Sequence, residues 1–421
     1  MRDRPDDIRI TDLGAPVLTA AQRAAIDFAR RVPVTFTEEA VLGAAMQRTG
    51  LTDFGAEDFR ERLRVQLQSL EEDPYAGPAG RLGAFSDCVR FAANRLRLED
   101  LLRRHPEILD IPIQRPIIVV GLPRSGTTHL LNLISADTRL RSLPYWESLE
   151  PVPVRGEGPG PDGLDPRFVR CRENYIRAYG LLPYLRNMHD MPPEHIHEEI
   201  ELQALDFSNY VWEWIACVPR WRDYYLSHDQ TPHYRYLKKA LQALQWLRGP
   251  QRWIFKSPQH LEQLGPLLTT FPDATIAFTH RDPVSVIAST VTMCAYGSRL
   301  RCQRVDLAMI ATYWIDRIER LLRACVRDRD RVAPAHSIDV LFHEFMADDV
   351  AMVQRIYERA GLEMTADARR VLDDFMQQNP RGKFGRVIYD LETDFGIDPE
   401  SLRERFEFYF ERFPVQAGRA Q

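Results

Sequence analysis

Three cations follow short apolar stretches of the sequence: Arg124 after Ile117–Val120, Lys256 after Trp253–Phe255, and Arg281 after Thr275–Thr279. In open α/β sheets, ligands bind beyond the carboxyl ends of the strands, so we expect these cations to share one anion site. Singly, each is also consistent with a surface cation, which is the usual fate of lysine and arginine. Together they predict a binding site for a phosphate-bearing ligand.

The segment around Arg124 predicts a phosphate cradle. Ile117–Val120 favours a strand buried on both faces, and residues 130–134 repeat apolar side chains at helical spacing. The loop between them consists of Pro123, Arg124, Ser125, Gly126, Thr127 and Thr128. Its backbone N–H groups can point at an anion beside a helix N-terminus. An ATP- or GTP-binding P-loop has lysine where this loop has Thr127, so a donor without a triphosphate fits better, with Arg124 as its cation.

Two motifs, in the same order along the chain, resemble those of the PAPS-dependent sulfotransferases, particularly the bacterial group. The segment 123–128 resembles the family's 5′-phosphosulfate loop. The segment 275–283 resembles its 3′-phosphate motif, with Arg281 and Ser289 at the binding positions. The resemblance runs from about residue 111 onward. It implies PAPS as the sulfuryl donor, PAP as the product, and no metal.

The resemblance also implies catalytic roles. Lys256 matches the family's catalytic lysine, and with Arg124 it is expected to stabilise negative charge on the departing phosphate oxygen. A base must take the proton of the acceptor hydroxyl. Glu147 is the first candidate, because tyrosylprotein and several bacterial sulfotransferases use a glutamate downstream of the loop helix. His260 is the second, and His195 or His197 follow if neither acts.

Residues 379–386 place three cations among two glycines, a composition typical of a mobile loop that closes over phosphate. Arg381, Gly382 and Lys383 resemble the family's C-terminal Arg-Lys-Gly segment, with the order changed. We therefore expect these three residues to complete the donor site.

The segment His195-Ile-His-Glu-Glu199 has two interpretations. On a helix, His195 and Glu199 would share a face, which suggests a metal site. More simply, the glutamates after Pro192 and Pro193 favour a helix N-terminus. We adopt the second interpretation, with the histidines as candidates for the wall of an acceptor pocket.

The elements that position these residues predict an α/β fold. From Ile117 onward, short apolar runs, the last at Ser337–Leu341, alternate with helical sequence, as in a doubly wound parallel sheet with a P-loop-like phosphate site. Residues 1–110 predict an N-terminal helical extension with no evident strand, and residues 111–421 the α/β domain. Within that domain, residues 150–249 predict a largely helical insertion that binds the acceptor and whose aromatic side chains form core or pocket wall.

Composition is consistent with an intracellular enzyme. The chain has 421 residues, 44% of them apolar, which suffices for a large core. Its net charge of -5 gives no reason to expect nucleic-acid binding. Six scattered cysteines without a CxxC pair indicate reduced thiols. Without a signal-like or transmembrane-length segment, a cytoplasmic location is expected. The oligomeric state, a homo-oligomer included, stays open.

These observations predict a PAPS-dependent sulfotransferase that acts on a hydroxyl of a small-molecule or lipid-like acceptor. Two alternatives remain. A P-loop-type kinase would need a phosphate-reaching lysine, which the loop lacks. A non-catalytic nucleotide-binding protein would keep Arg124 and Arg281 without needing Lys256 or a base. The sequence does not specify the acceptor.

Overall fold

The structure, a computed structural model, describes residues 7–249 and 251–418. Its strands are β1 Asp7–Ile8, β2 Ile117–Gly121, β3 Leu140–Arg141, β4 Arg252–Lys256, β5 Thr275–His280, β6 Ser337–Leu341 and β7 Arg386–Val387. Five of them form a parallel sheet in the order β3-β4-β2-β5-β6. The other two, β1 and β7, pair in parallel as a separate two-stranded sheet. The phosphate-loop strand β2 is therefore central in the main sheet.

The helices of the first half are α1 Ala20–Arg30, α2 Glu38–Thr49, α3 Phe59–Glu71, α4 Pro78–Arg104, α5 Thr127–Ser135, α6 Tyr145–Leu149, α7 Pro166–Leu181, α8 Leu185–Met188, α9 Ile200–Gln203, α10 Pro219–Ser227 and α11 Thr231–Arg248. Those of the second half are α12 Leu264–Thr270, α13 Pro283–Arg301, α14 Leu307–Asp328, α15 Phe342–Ala347, α16 Asp349–Ala360, α17 Ala366–Gln378, α18 Leu391–Phe395, α19 Pro399–Arg405 and α20 Glu407–Arg412. Short 3-10 helices lie at Pro106–Asp110, Ala204–Asp206, Val211–Trp214, Pro258–Glu262, Arg329–Arg331 and Pro334–His336.

Strand β2 shows why the sheet is covered on both faces. Successive strand residues point to opposite faces, and those of β2 belong to different hydrophobic clusters. Ile118 and Val120 pack in one cluster, Ile117 and Val119 in another, and all four are completely buried. The continuous apolar run thus gives a two-sided strand, and the predicted doubly wound parallel sheet is confirmed.

The extension and the insertion share a third hydrophobic cluster. Phe59 and Phe91 of the extension pack with Phe207, Trp212 and Trp221 of the insertion. Phe207, Trp212 and Trp221 of the insertion therefore belong to the core rather than to a pocket wall. The division at residue 110 remains a prediction. Within 1–110 the structure adds helix α1 and the two-residue strand β1, which is too short for a periodic signal.

None of the helices in residues 7–249 and 251–418 combines the length and the apolar character needed to cross a bilayer.

Candidate active site

The last residue of β2, Gly121, lies too close to β5 for any side chain. A Cβ at Gly121 would lie 1.9 Å from Thr279 Oγ1 on β5, so only glycine fits between the strands. Ser125 Oγ donates to the Leu122 carbonyl at 2.6 Å and lies 2.8 Å from Thr279 Oγ1. The Ser125 side chain, which is 1% exposed, therefore ties the loop to the sheet.

The loop backbone takes two left-handed conformations. Gly126, which precedes α5, has φ +89°, and Arg124 has φ +63°. For a residue with a side chain, this conformation costs about 1–2 kcal/mol. Such strain persists only where surrounding contacts impose it, and it is concentrated at ligand sites. In this conformation the N-terminus of α5 lies at the edge of the sheet where β2 ends, and its free N–H groups can bind a phosphate.

Arg124 of the loop and Arg281 after β5 are in direct contact. Arg124 Nε donates to Ser289 Oγ at 2.8 Å, and Arg281 Nη1 donates to the Arg124 carbonyl at 2.6 Å. The Arg281 guanidinium lies 4.2 Å over the ring of Phe342. Burial, and then repulsion from Arg124, lower the pKa of Arg281. The hydrogen bonds of both guanidiniums among the described residues go to uncharged oxygens, so a bound anion would relieve their repulsion.

Lys256 lies at the end of β4 and is 2% exposed. Its backbone N–H donates to Glu199 Oε2 at 3.0 Å. Its ammonium forms an ion pair with Glu198 and lies 3.4 Å from Thr128 Oγ1 at the start of α5. Lys256 therefore connects the phosphate loop to the segment that precedes α9.

A cavity of about 250 Å³ opens beside these groups. Arg124, Thr128, Glu198 and Lys256 form its polar end. Its apolar wall comes mainly from the helical insertion, through Leu185, Met191, Ile200, Val211, Trp214 and Ile215. A small polar group of side chains beside an apolar wall is typical of a site that orients a largely apolar ligand.

Two histidines of the insertion, His189 and His197, also line the cavity. The His195 ring lies 5.6 Å from that of His189 and 6.1 Å from that of His197. Burial is the largest cause that lowers the pKa of all three, and nearby cations add to it; the pKa of His195 falls to about 3. They are therefore neutral at pH 7. In the described part of the chain, no group of three or more His, Cys, Asp or Glu could hold a metal ion.

The structure places Glu147 away from the cavity wall. Its carboxylate, on α6, accepts from Arg141 Nη2 at 2.8 Å and from Arg248 Nη1 at 3.0 Å. Glu147 is 1% exposed, and Arg141 is packed 4.7 Å over the Trp253 ring. Here Glu147 compensates buried arginine charge. Glu147 is not among the residues that line the cavity, and its role as the base stays a prediction.

His260 is also outside the cavity wall and is fully buried. Its Nδ1 lies 2.7 Å from the Tyr234 hydroxyl, and its Nε2 bonds to Glu199. Glu199 in turn accepts the Lys256 backbone N–H. His260 is therefore linked to Lys256 through Glu199, and its role as a base stays a prediction.

The C-terminal loop reaches the phosphate site through one of its cations. Arg381 Nη2 donates to Asp349 Oδ1 at 2.7 Å, and the same oxygen lies 2.9 Å from His129 Nε2 on α5. Lys383 is exposed, as Arg381 is, and its ammonium lies 5.3 Å from the Phe384 ring. Gly382, at φ +71°, turns the chain between them.

Sequence reasoning missed the role of Glu198, because it took the glutamates for the start of a helix. A helix does begin there, since Glu199 is the N-cap of α9, which starts at Ile200; the residues before it are not helical, and Ile196 forms a β-bridge with Pro144. The segment is held extended against α6, so Glu198 reaches Lys256. The available signal was electrostatic. A lysine at the end of a buried strand needs a nearby carboxylate. Glu198 and Glu199 are two candidates for that carboxylate.

Comparisons with known proteins agree with this geometry. A model of the sulfotransferase family matches residues 116–366, which contain the loop, Lys256 and Arg281. No curated protein matches the chain. Among solved structures, sulfotransferase STF9 from Mycobacterium avium is 26% identical with a TM-score of 0.80, over 91% of this chain and 98% of that one. Sulfotransferase STF1 from Mycobacterium tuberculosis H37Rv is 26% identical with a TM-score of 0.77, over 88% of this chain and 98% of that one.

The match by the family model covers more than half of the chain and includes the loop at residues 123–128. The chain therefore belongs to the sulfotransferase family, whose reaction is sulfuryl transfer from PAPS to a hydroxylated acceptor.

Proposed function

We propose that this sulfotransferase transfers the sulfuryl group of PAPS to a hydroxyl of a largely apolar small-molecule or lipid-like acceptor held in the 250 Å³ cavity. The observation that carries the proposal is the position of Lys256. Its ammonium lies at the junction of the phosphate loop and the cavity, beside Thr128 and Glu198. From this position the ammonium would reach both the leaving phosphate oxygen, on which negative charge develops, and the attacking hydroxyl of the acceptor.

The donor would be held at two points. The N–H groups of the loop and Arg124 bind the 5′-phosphosulfate, since they lie at the N-terminus of α5. Arg281 and Ser289 bind the 3′-phosphate. In support, Arg281 has a pKa lowered by burial and by Arg124, and an anion between the two would remove that repulsion. Arg381, held by Asp349 close to α5, adds a further cation.

Arg124 and Lys256 would stabilise the transition state. As the acceptor oxygen bonds to sulfur, the bond from sulfur to the phosphate oxygen breaks, and its electron pair stays on that oxygen as PAP forms. A positioned cation is worth most where such charge develops. Glu198 would take the hydroxyl proton, because its carboxylate lines the cavity beside Lys256.

A thermal-shift experiment tests the donor assignment. PAP should raise the melting temperature more than ATP at equal concentration, because a ligand stabilises the state that it binds. Arg281→Ala should remove most of that preference, whereas Arg304→Ala, which changes an exposed arginine, should keep it. Equal stabilisation by ATP that depends on magnesium would instead favour a kinase.

A second experiment tests turnover. Phenols, sterols and hydroxylated lipids are offered with labelled PAPS, and transfer of the label to each acceptor is measured. Preferential binding of PAP without transfer to any acceptor would favour a non-catalytic nucleotide-binding protein.

A further inference from the structure

Arg301 is a cation of the cavity wall that the proposed chemistry does not use. It is the last residue of α13, and it lines the cavity together with Met293 and Gly297. Met293, Gly297 and Arg301 follow one another at intervals of four residues and all line the cavity. At about 1.5 Å per residue, Ser289 and Arg301 lie about 18 Å apart along the helix axis. Helix α13 thus runs from Ser289 at the donor end to Arg301.

The Arg301 guanidinium is poorly compensated. Within the described residues it makes one hydrogen bond, from Nη2 to the Trp214 carbonyl at 3.2 Å, and its buried Nε has no partner. No carboxylate of residues 7–249 and 251–418 forms a salt bridge with it, and burial lowers its pKa. The side chain as a whole is only partly buried, but a cation with a buried nitrogen and no anionic partner lacks compensation for the hydration it loses.

The other charged groups of the cavity wall already have partners. Glu201 accepts from Arg90 at 2.9 Å, and Glu198 pairs with Lys256. Arg124 is assigned to the donor. Among the described residues that line the cavity, Arg301 is therefore the cation left for the acceptor.

Small residues make room for this cation and hold its backbone. A Cβ at Gly297 would lie 2.7 Å from Arg301 Nη2, so the guanidinium folds back over a glycine. The Gly77 N–H at the start of α4 donates to the Arg301 carbonyl at 2.7 Å, and a Cβ at Gly80 would lie 2.3 Å from that oxygen. The helical extension therefore fixes the end of α13, and with it the position of Arg301.

We infer that the acceptor carries a carboxylate that pairs with Arg301, while its hydroxyl faces Lys256 and Glu198. This inference rests on the proposed function. One cation matches one singly charged group, and the apolar wall between the two ends fits a hydrocarbon body. The acceptor class is thus an elongated hydroxy acid. A carboxylate is preferred to a neutral end group because a charge-assisted pair is about twice as strong as a neutral hydrogen bond.

The test compares ω-hydroxy acids from octanoate to hexadecanoate with the α,ω-diols of the same chain length, as acceptors of label from PAPS. Wild type should prefer the acid at the best chain length, by kcat/KM and by the melting-temperature increase in the presence of PAP. Arg301→Met should lower the ratio of acid to diol by at least about tenfold, because a hydrogen bond to a charged group contributes about 1.5–3 kcal/mol.

Three further variants give controls. Arg301→Lys should restore part of the preference, because it keeps the charge. Gly297→Ala keeps the arginine but crowds its guanidinium, so it should weaken the preference if Arg301→Met fails to fold. Arg304→Met, at a side chain that is 71% exposed, should behave as wild type.

Two outcomes would overturn the inference. One is the absence of any acid preference in wild type, in both turnover and melting temperature; the other is an unchanged ratio in Arg301→Met and Gly297→Ala. If PAP still stabilises the protein and label still reaches the diols, the proposed function stands although the inference fails. If PAP does not bind and PAPS supports no transfer to any acceptor, the proposed function fails as well.

Discussion

The phosphate loop and the acceptor cavity meet at Lys256, but they are built from different parts of the chain. The loop, Arg124 and Arg281 lie at the ends of neighbouring parallel strands, β2 and β5, so the sheet itself sets their spacing. The wall of the cavity comes from short helices and extended segments of the insertion, which are held against the extension by a shared cluster. One side of the site thus depends on local sequence next to strands, and the other on packing between distant segments.

Lys256→Ala should give the largest effect, because it changes the point where the two sides meet. We expect kcat to fall by about 10²–10³ while PAP affinity changes much less, since the ammonium acts mainly where charge develops. Transfer of label from PAPS and PAP titration measure the two quantities. Lys239→Ala, at a partly exposed lysine on α11, is the control. Unchanged turnover would reduce Lys256 to an ordinary strand-end cation.

Glu198→Gln should follow, with a loss of about 10² in kcat and retained PAP binding. The loss should be greater for aliphatic alcohols than for phenols, whose protons are easier to remove. Glu147→Gln is the matched control. It should lower the melting temperature, because it weakens the pairs with Arg141 and Arg248, yet keep turnover per folded enzyme. An inactive Glu147→Gln beside an active Glu198→Gln would return the role of base to Glu147.

Met293→Ala should affect only the acceptor side. It removes apolar surface from the cavity wall, so we expect KM for an apolar acceptor to rise about tenfold. The melting-temperature increase caused by PAP should stay as in wild type. A matching loss of PAP stabilisation would mean that the two sides of the site are not separable.

The buried histidines should give the smallest effect, one of stability alone. Their pKa values are lowered in the folded state, so below about pH 6.5 the unfolded chain binds protons that the folded chain does not. The free energy of unfolding should therefore fall as pH drops from about 6.5 toward 3, by up to about 1.4 kcal/mol per pH unit for each histidine. Urea unfolding at about pH 7 and about pH 5 should show a smaller fall in the free energy of unfolding for His195→Asn than for wild type. The exposed His336, changed to Asn, is the control.

The same division explains what the sequence could predict. Strands β2, β4, β5 and β6 were visible as short apolar or β-branched runs, because strands covered on both faces are rich in such residues. The placement of the cations followed from the sheet, since parallel strands end at one edge. Strand β3 has two residues and leaves no such signal.

The acceptor side could not be predicted in the same way. Whether Glu147 or Glu198 reaches the cavity depends on which arginines each carboxylate meets. Those partners are remote in sequence or in another element, as Arg248 is for Glu147. No sequence motif indicated Arg301 either, because its environment forms only when the N-terminal extension packs against the end of α13. Residues next to a strand inherit their position from it, whereas residues of a packed insertion do not.

The pairing of β1 with β7 has a consequence for the order of folding. Asp7 pairs with Arg386, so a strand made early in synthesis must wait for a partner made near the end. The loop that carries Arg381 lies just before that partner. Closing so long a ring costs little more than closing a shorter one, because the entropy grows only with the logarithm of its length. The length of the ring therefore adds little to the cost of pairing β1 with β7, and the pair holds the chain just after the loop that carries Arg381.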